Sequence, residues 1–398
     1  MSKKIIALAL AALAPAAAMA ADSNVTIYGR IDYGFLSRSG DDNKGPTGLT
    51  GTQFGRKSRK NEFEDGMAGA NRIGFKGSED LGNGLKAIFE IEFGFNGDET
   101  NATFNYNRHS WVGLTGGFGT VLGGRVDGAR YSFVGKYDPF KNQTVGVAAS
   151  IFGASSRLGQ ADRADNAIVY ITPELFTGFK VLAAYTTSLI GAEGAGSTAA
   201  GDRDIEKGDT PLYAIAAMYD NGPLSITLDY ENLQIKRNVA TANPNRNKDM
   251  EFDLWVFGAS YDFGVAKLSA YYEDVAGDDR ASKTVSDSKG WMVGATVPLG
   301  ANARLLTSYV KGKDERTGNK GECKKFGLGG EYDLSKRTNL YAGFAKTSSD
   351  GSLTCAITTA GSRRADARDG ANPLNNAAPG NAVAYGDKGF NLGIAHKF

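Results

Sequence analysis

From Val25 onward, apolar and polar positions alternate. Val25, Ile27, Ile31, Tyr33 and Phe35 share one parity, and Thr26, Arg30 and Asp32 the other. In an extended chain successive side chains point to opposite faces, so this stretch reads as a strand with one apolar and one wet face. The pattern returns in Leu85, Ala87, Phe89, Ile91 and Phe93, opposed by Lys86, Glu90 and Glu92. It returns again in Leu224, Ile226, Leu228 and Tyr230, opposed by Asp229 and Glu231, and it closes the chain in Phe390, Leu392, Ile394, His396 and Phe398.

Sixteen such strands are predicted, over 24–36, 71–77, 84–95, 104–114, 119–125, 164–172, 178–187, 211–219, 223–233, 251–261, 265–274, 289–298, 301–311, 323–332, 338–346 and 388–398. Many are near the ~9–11 residues that cross a bilayer at a tilt. Their connections alternate. Short ones such as 78–83, 220–222 and 262–264 are rich in Gly, Asn, Asp and Pro, as tight turns require. Long polar ones include 37–70, 126–163 and 347–387. A soluble sandwich also alternates apolar and polar residues, but it lacks this long–short rhythm. The expected fold is therefore all-β, a 16-stranded antiparallel transmembrane β-barrel with turns at the periplasmic end and loops outside.

Composition narrows the function. Lys+Arg number 45 against 44 Asp+Glu, which gives no basic field for nucleic acid. Two His and two Cys leave little for a triad or a zinc centre, and no enzyme, metal or cofactor is expected. Gly327-Leu328-Gly329-Gly330 sits on a predicted strand with no helix after it, so it is not a nucleotide loop. Lys3 and Lys4, the apolar run 5–13 and Ala18-Met19-Ala20 read as a signal peptide over 1–20, leaving a barrel over 21–398. Trp111, Trp255 and Trp291 are placed on outward parity as part of an interfacial aromatic belt.

The run Asn71-Arg72-Ile73-Gly74-Phe75-Lys76-Gly77-Ser78-Glu79-Asp80-Leu81-Gly82-Asn83-Gly84-Leu85 resembles the second-strand hairpin of Gram-negative general porins of the betaproteobacterial and neisserial type. Val25-Thr26-Ile27-Tyr28-Gly29, Gly113-Leu114-Thr115-Gly116-Gly117-Phe118-Gly119 and the ending His396-Lys397-Phe398 add to it. One stretch departs from the family pattern: Arg163-Ala164-Asp165-Asn166-Ala167 lacks the usual Ser, and Val169 is apolar. The resemblance implies a homotrimer among outer-membrane lipids, diffusion of small hydrophilic solutes and ions, and a third loop, about 126–163, folded into the channel.

On this reading the wet strand faces line an aqueous lumen. Arg30, Arg72, Arg108 and Arg125 fall on polar parity, and loop three carries Asp127 and Asp138. A cationic wall against loop carboxylates would set up a transverse field and a modest anion preference. Cys323 starts one strand and Cys355 lies in the loop leaving the next, so an extracellular disulfide is expected. Three alternatives stand beside diffusion: a substrate-selective channel with a defined solute site, an outer-membrane enzyme, and an adhesin using loop 347–387.

Overall fold

The computed structural model describes residues 24–40, 58–97, 106–156, 163–189, 210–235, 249–279, 284–351, 353, 355–358 and 386–398. The proposed signal peptide lies outside them. The strands are β1 (Asn24–Gly40), β2 (Ser58–Asp65), β3 (Arg72–Gly82), β4 (Leu85–Gly94), β5 (Tyr106–Gly116) and β6 (Gly119–Asp127). After two helices, α1 (Ala129–Tyr137) and α2 (Ala149–Ser156), come β7 (Arg163–Ile171), β8 (Phe179–Thr186), β9 (Leu212–Asn221), β10 (Leu224–Ile235) and β11 (Met250–Asp262). The last six are β12 (Lys267–Asp279), β13 (Thr284–Leu299), β14 (Ala303–Asp314), β15 (Gly321–Asp333), β16 (Thr338–Gly351) and β17 (Lys388–Lys397).

These seventeen segments make sixteen staves. β2 pairs with the upper half of β1 and β3 with its lower half, so β2 and β3 are two pieces of one stave. Every other neighbour is consecutive and antiparallel, and β17 returns to β1 in the register Arg30↔Lys397 to Ser39↔Lys388. The ring is closed and has no free edge, as hydrocarbon requires of a spanning sheet. The alternation marks all sixteen staves but not the extra strand piece 58–65, which falls in the predicted loop 37–70. That piece, Ser-Arg-Lys-Asn-Glu-Phe-Glu-Asp, holds one apolar side chain in eight and shows no alternation.

The two faces differ as the alternation requires. Ile27, Ile31, Tyr33, Leu228, Trp255, Phe257, Val293, Leu392 and Ile394 are exposed on the outer face. Asp32, Asp229 and Asn391 on the opposite parity are fully buried. Tight turns join the strands at one end, and Gly222, with φ +55°, takes a left-handed conformation that a side chain would resist. Trp111 is a correction. A β-bulge at Arg108, opposite Glu92 and Phe93, shifts the parity of β5, so Trp111 faces inward across from Glu90 while Val112 and Leu114 face out.

Candidate functional site

Between β6 and β7 the chain turns into the barrel. α1 lies against β10, β11 and β12, and α2 against β13, β14 and β15. Side chains of the wall hold this segment. The buried Arg130 guanidinium donates to Glu273 Oε1 and Oε2 at 2.5 and 3.0 Å, and its backbone N–H donates to Glu231 at 2.7 Å. Tyr137 hydrogen-bonds Thr227 at 2.8 Å, and its ring occupies the space a Cβ on Gly258 would need. Lys325, fully buried on β15, donates to Val147 O at 3.0 Å and Ser150 Oγ at 2.6 Å. At the far end Val145 N–H reaches Asn391 on β17, and Thr144 N–H donates to Met67 O at 2.7 Å.

Asp138 organises the bend between the helices. Its carboxylate accepts the backbone N–H groups of Phe140, Ala148 and Asn142 at 2.9, 3.0 and 3.3 Å. Burial pushes the Asp138 carboxyl above its ordinary range, against the pull of those N–H groups and of Lys325. At 2 % exposure it holds the loop's own backbone and offers no charge to the lumen, contrary to its expected place.

A cluster of cations gathers on the other part of the wall. Arg72 lies 3.3 Å from Glu92, and Arg108 pairs with the same carboxylate. Arg30, Arg108 and Arg163 are the electrostatic neighbours of Arg72. Arg30 lies 3.7 Å from Asp32, whose oxygens also accept the Tyr341 hydroxyl and the Ala68 N–H at 2.6 Å each. Loop three adds a further cation: Lys141 at its tip is exposed, and with Lys397 it joins the field around Arg30 and Arg72. Of the two expected loop carboxylates, Asp138 turns into the loop's own backbone, while Asp127 pairs with Arg163 and lies in the field of Arg108. Lys136 points away to Asp220, 3.0 Å off, near the end of β9.

Two more of the anticipated site residues are placed. Asp127, where the loop leaves β6, bonds His109 Nε2 at 3.0 Å and Arg163 at 2.6 Å. Arg125 does not join the cluster. Leu122 and Val126 face the interior, a register shift follows Gly124, and Arg125 turns instead to Asn107 O and Asp165. Arg163 and His109 were not singled out for the site. The two ring nitrogens of His109 meet Glu90 at 2.5 Å and Asp127 at 3.0 Å.

Cys323 and Cys355 are joined as a disulfide with Cα atoms 5.9 Å apart. Both are buried in one apolar cluster with Ile151 and Phe152 of α2. Leu353 and Cys355, just after β16, therefore pack onto loop three.

Part of the interior wall is apolar. β7, β8 and β9 are apolar on both faces: Ile168, Tyr213 and Ile215 are exposed outside, while Ala167, Val169, Leu212 and Ala214 are buried inside. The departure noted at Val169 belongs to this patch.

A closed barrel with an apolar outer face, narrowed by one inward loop beside a row of arginines, defines a membrane channel. Comparison with known proteins agrees. Residues 7–352 match the Gram-negative porin family. Outer membrane porin protein 32 of Delftia acidovorans is 32 % identical over 361 residues, covering 87 % of this chain and 89 % of that one. An outer membrane porin protein of Bordetella pertussis is 29 % identical over 378 residues, covering 86 % and 93 %. Among solved structures, an anion-selective porin from Comamonas acidovorans superimposes with a TM-score of 0.69 at 25 % identity, over 95 % of this chain and all of the other. The trimer form of OmpT from Vibrio cholerae, at 16 % identity and a TM-score of 0.62 over 94 % and 99 %, shares the fold. The chain belongs to the Gram-negative porin family and is a channel of the outer membrane.

Proposed function

We propose that this porin admits small hydrophilic solutes by diffusion, prefers anions modestly, and works as a homotrimer. The observation that carries the preference is the charge balance at the narrowing. Arg72 and Arg108 pair with Glu92, Arg30 lies beside Asp32 and Arg163 beside Asp127, and Lys141 and Lys397 add two further cations, so cations outnumber these carboxylates. Guanidinium stays charged at any working pH, so the excess is permanent. The similarity to an anion-selective porin supports the sign, and the trimer form of a fold relative supports the assembly. Small ions pass because sixteen staves leave room that side chains do not fill. Apolar solutes are disfavoured where charged side chains order the water.

The test is the zero-current potential in a planar bilayer under a potassium chloride gradient. Its sign should report chloride as the more permeant ion. Replacing Arg72 and Arg108 together by Gln should move it toward potassium, and the shift should shrink in 1 M salt, where screening falls to about 3 Å. A potential of cation-selective sign in the parent protein would refute the assignment.

A further inference from the structure

An imidazole ring has two nitrogens, and only its protonated form carries an N–H on both. The ring of His109, on β5, is set between two carboxylates. Its Nδ1 lies 2.5 Å from Glu90 Oε1 on β4, and its Nε2 lies 3.0 Å from Asp127 Oδ1 at the root of loop three. An ionised carboxylate only accepts hydrogen bonds. A neutral ring would therefore turn a bare lone pair toward one of the two oxygens.

The surroundings put the proton on the ring and not on either acid. The Tyr28 hydroxyl of β1 donates to Glu90 Oε1 at 2.7 Å, and the Arg163 guanidinium of β7 lies 2.6 Å from Asp127 Oδ1. Donors on a carboxylate favour its ionised form. Glu92, 3.9 Å from Nδ1, adds a third negative charge, itself paired with Arg72 and Arg108. Lys76 of β3 lies in the field of Glu90, and Arg108 in that of Asp127. On loop three, Arg130 is engaged by Glu273, and the Tyr131 ring lies against the Arg163 guanidinium.

We propose that His109 stands at the narrowing as an imidazolium and is a further determinant of selectivity, a titratable positive charge added to the fixed charge of the arginines. With 16 % of its side chain accessible, the ring is within reach of water and hydroxide. Loss of its proton costs it one of its two carboxylate bonds and leaves the wall one charge more negative. Chloride is then favoured less in alkaline medium. The sign of that effect rests on the anion preference proposed above, whereas the charge on the ring does not.

The chain has two histidines, His109 and His396, so the ring can be read by itself. Full-length protein with its histidines enriched in the heavy nitrogen isotope is examined by NMR in detergent at about pH 7.5, where a free imidazole is mostly neutral. The signals missing from His109→Gln identify the ring; if that variant gives no heat-modifiable barrel, His396→Gln leaves His109 alone. The two nitrogens of an imidazolium resonate close together, and those of a neutral ring far apart. Close resonances are expected, and a widely split pair would overturn the proposal. The zero-current potential is then followed from about pH 6 to about pH 9, the range in which histidine charge changes. The chloride-to-potassium permeability ratio of the parent should fall about twofold, the effect of one charge roughly 8 Å from a passing ion in water. It should be low and level in His109→Gln, and high and level in His109→Lys. A level ratio in the parent, or an equal slope in His109→Gln, would remove His109 from the filter. A cation-selective sign throughout, with the slope confined to the parent, would refute the anion preference and uphold the role of His109.

Discussion

Tyr137 and Gly258 share one place in the barrel: the phenol ring on loop three fills the volume that any side chain on Gly258 would take. Gly258→Val should therefore push the ring off the wall and loosen α1. The expected signs are larger single-channel conductance with more open-state noise, and a loss of about 1–3 kcal/mol in stability, as overpacking commonly costs. An unchanged conductance would show that Tyr137 is not what seats the loop.

Arg130 and Glu273 form the buried ionic anchor of the same helix. Glu273→Gln removes the paired charge from a guanidinium in a site 4 % accessible. Breaking a buried pair from one side typically costs about 3–5 kcal/mol. Heat-induced dissociation should shift to lower temperature, and limited proteolysis should begin cutting between β6 and β7. Replacing the pair together by Met and Leu should restore much of the loss.

Arg125 offers a control for the selectivity assignment. It turns to Asp165 and Asn107 O, off the face that carries Leu122 and Val126. Arg125→Gln is expected to leave the zero-current potential at low salt where it was, whereas Arg72→Gln should displace it. Equal shifts from both would put Arg125 inside the filter.

Asp229 is fully buried beside Glu231, and neither of its oxygens meets a donor among the described residues. Unsatisfied buried groups cost about 1–3 kcal/mol. Asp229→Asn supplies N–H donors toward Glu231 and should raise the thermal dissociation temperature. A lower temperature would mean that the carboxylate has a role that its surroundings do not display.

Replacing Cys323 and Cys355 by Ser opens a closed segment with a sequence separation of 32. The chain-entropy model gives a loss on the order of 3–4 kcal/mol. Because the bridge packs against Ile151 and Phe152, the variant should also show altered gating noise, which a tether confined to the outer surface would not produce. Thiol labelling of the unreduced, denatured parent should find no reactive cysteine.

Strands and closure were legible because alternation in stretches such as Val25–Phe35 and Phe390–Phe398 is imposed by lipid on one side and water on the other. The arginines were legible where parity runs uninterrupted, as at Arg30 and Arg72. Parity failed at β-bulges: one extra residue at Arg108 reversed the facing of Trp111, and the irregularity after Gly124 took Arg125 out of the row. No local pattern marks a bulge of that kind. Asp138 misled because a carboxylate in a loop reads as solvated, and only the fold shows three N–H groups closing on it. The apolar inner residues of β7–β9 were visible as letters, yet nothing in a single strand says which face is covered.

That apolar stretch of wall makes the conduit eccentric. With loop three seated along β10–β15 and its far end at Asn391 on β17, and with the inner faces of β7–β9 apolar, the charged wall is left as a crescent over β1, β3 and β5. Current should therefore scale with the width of that crescent and not with the girth of the barrel. Ions in transit hug the very strands that carry Arg30, Arg72 and Arg108, so a few side chains govern a stream that a centred pore of the same circumference would let pass at a distance.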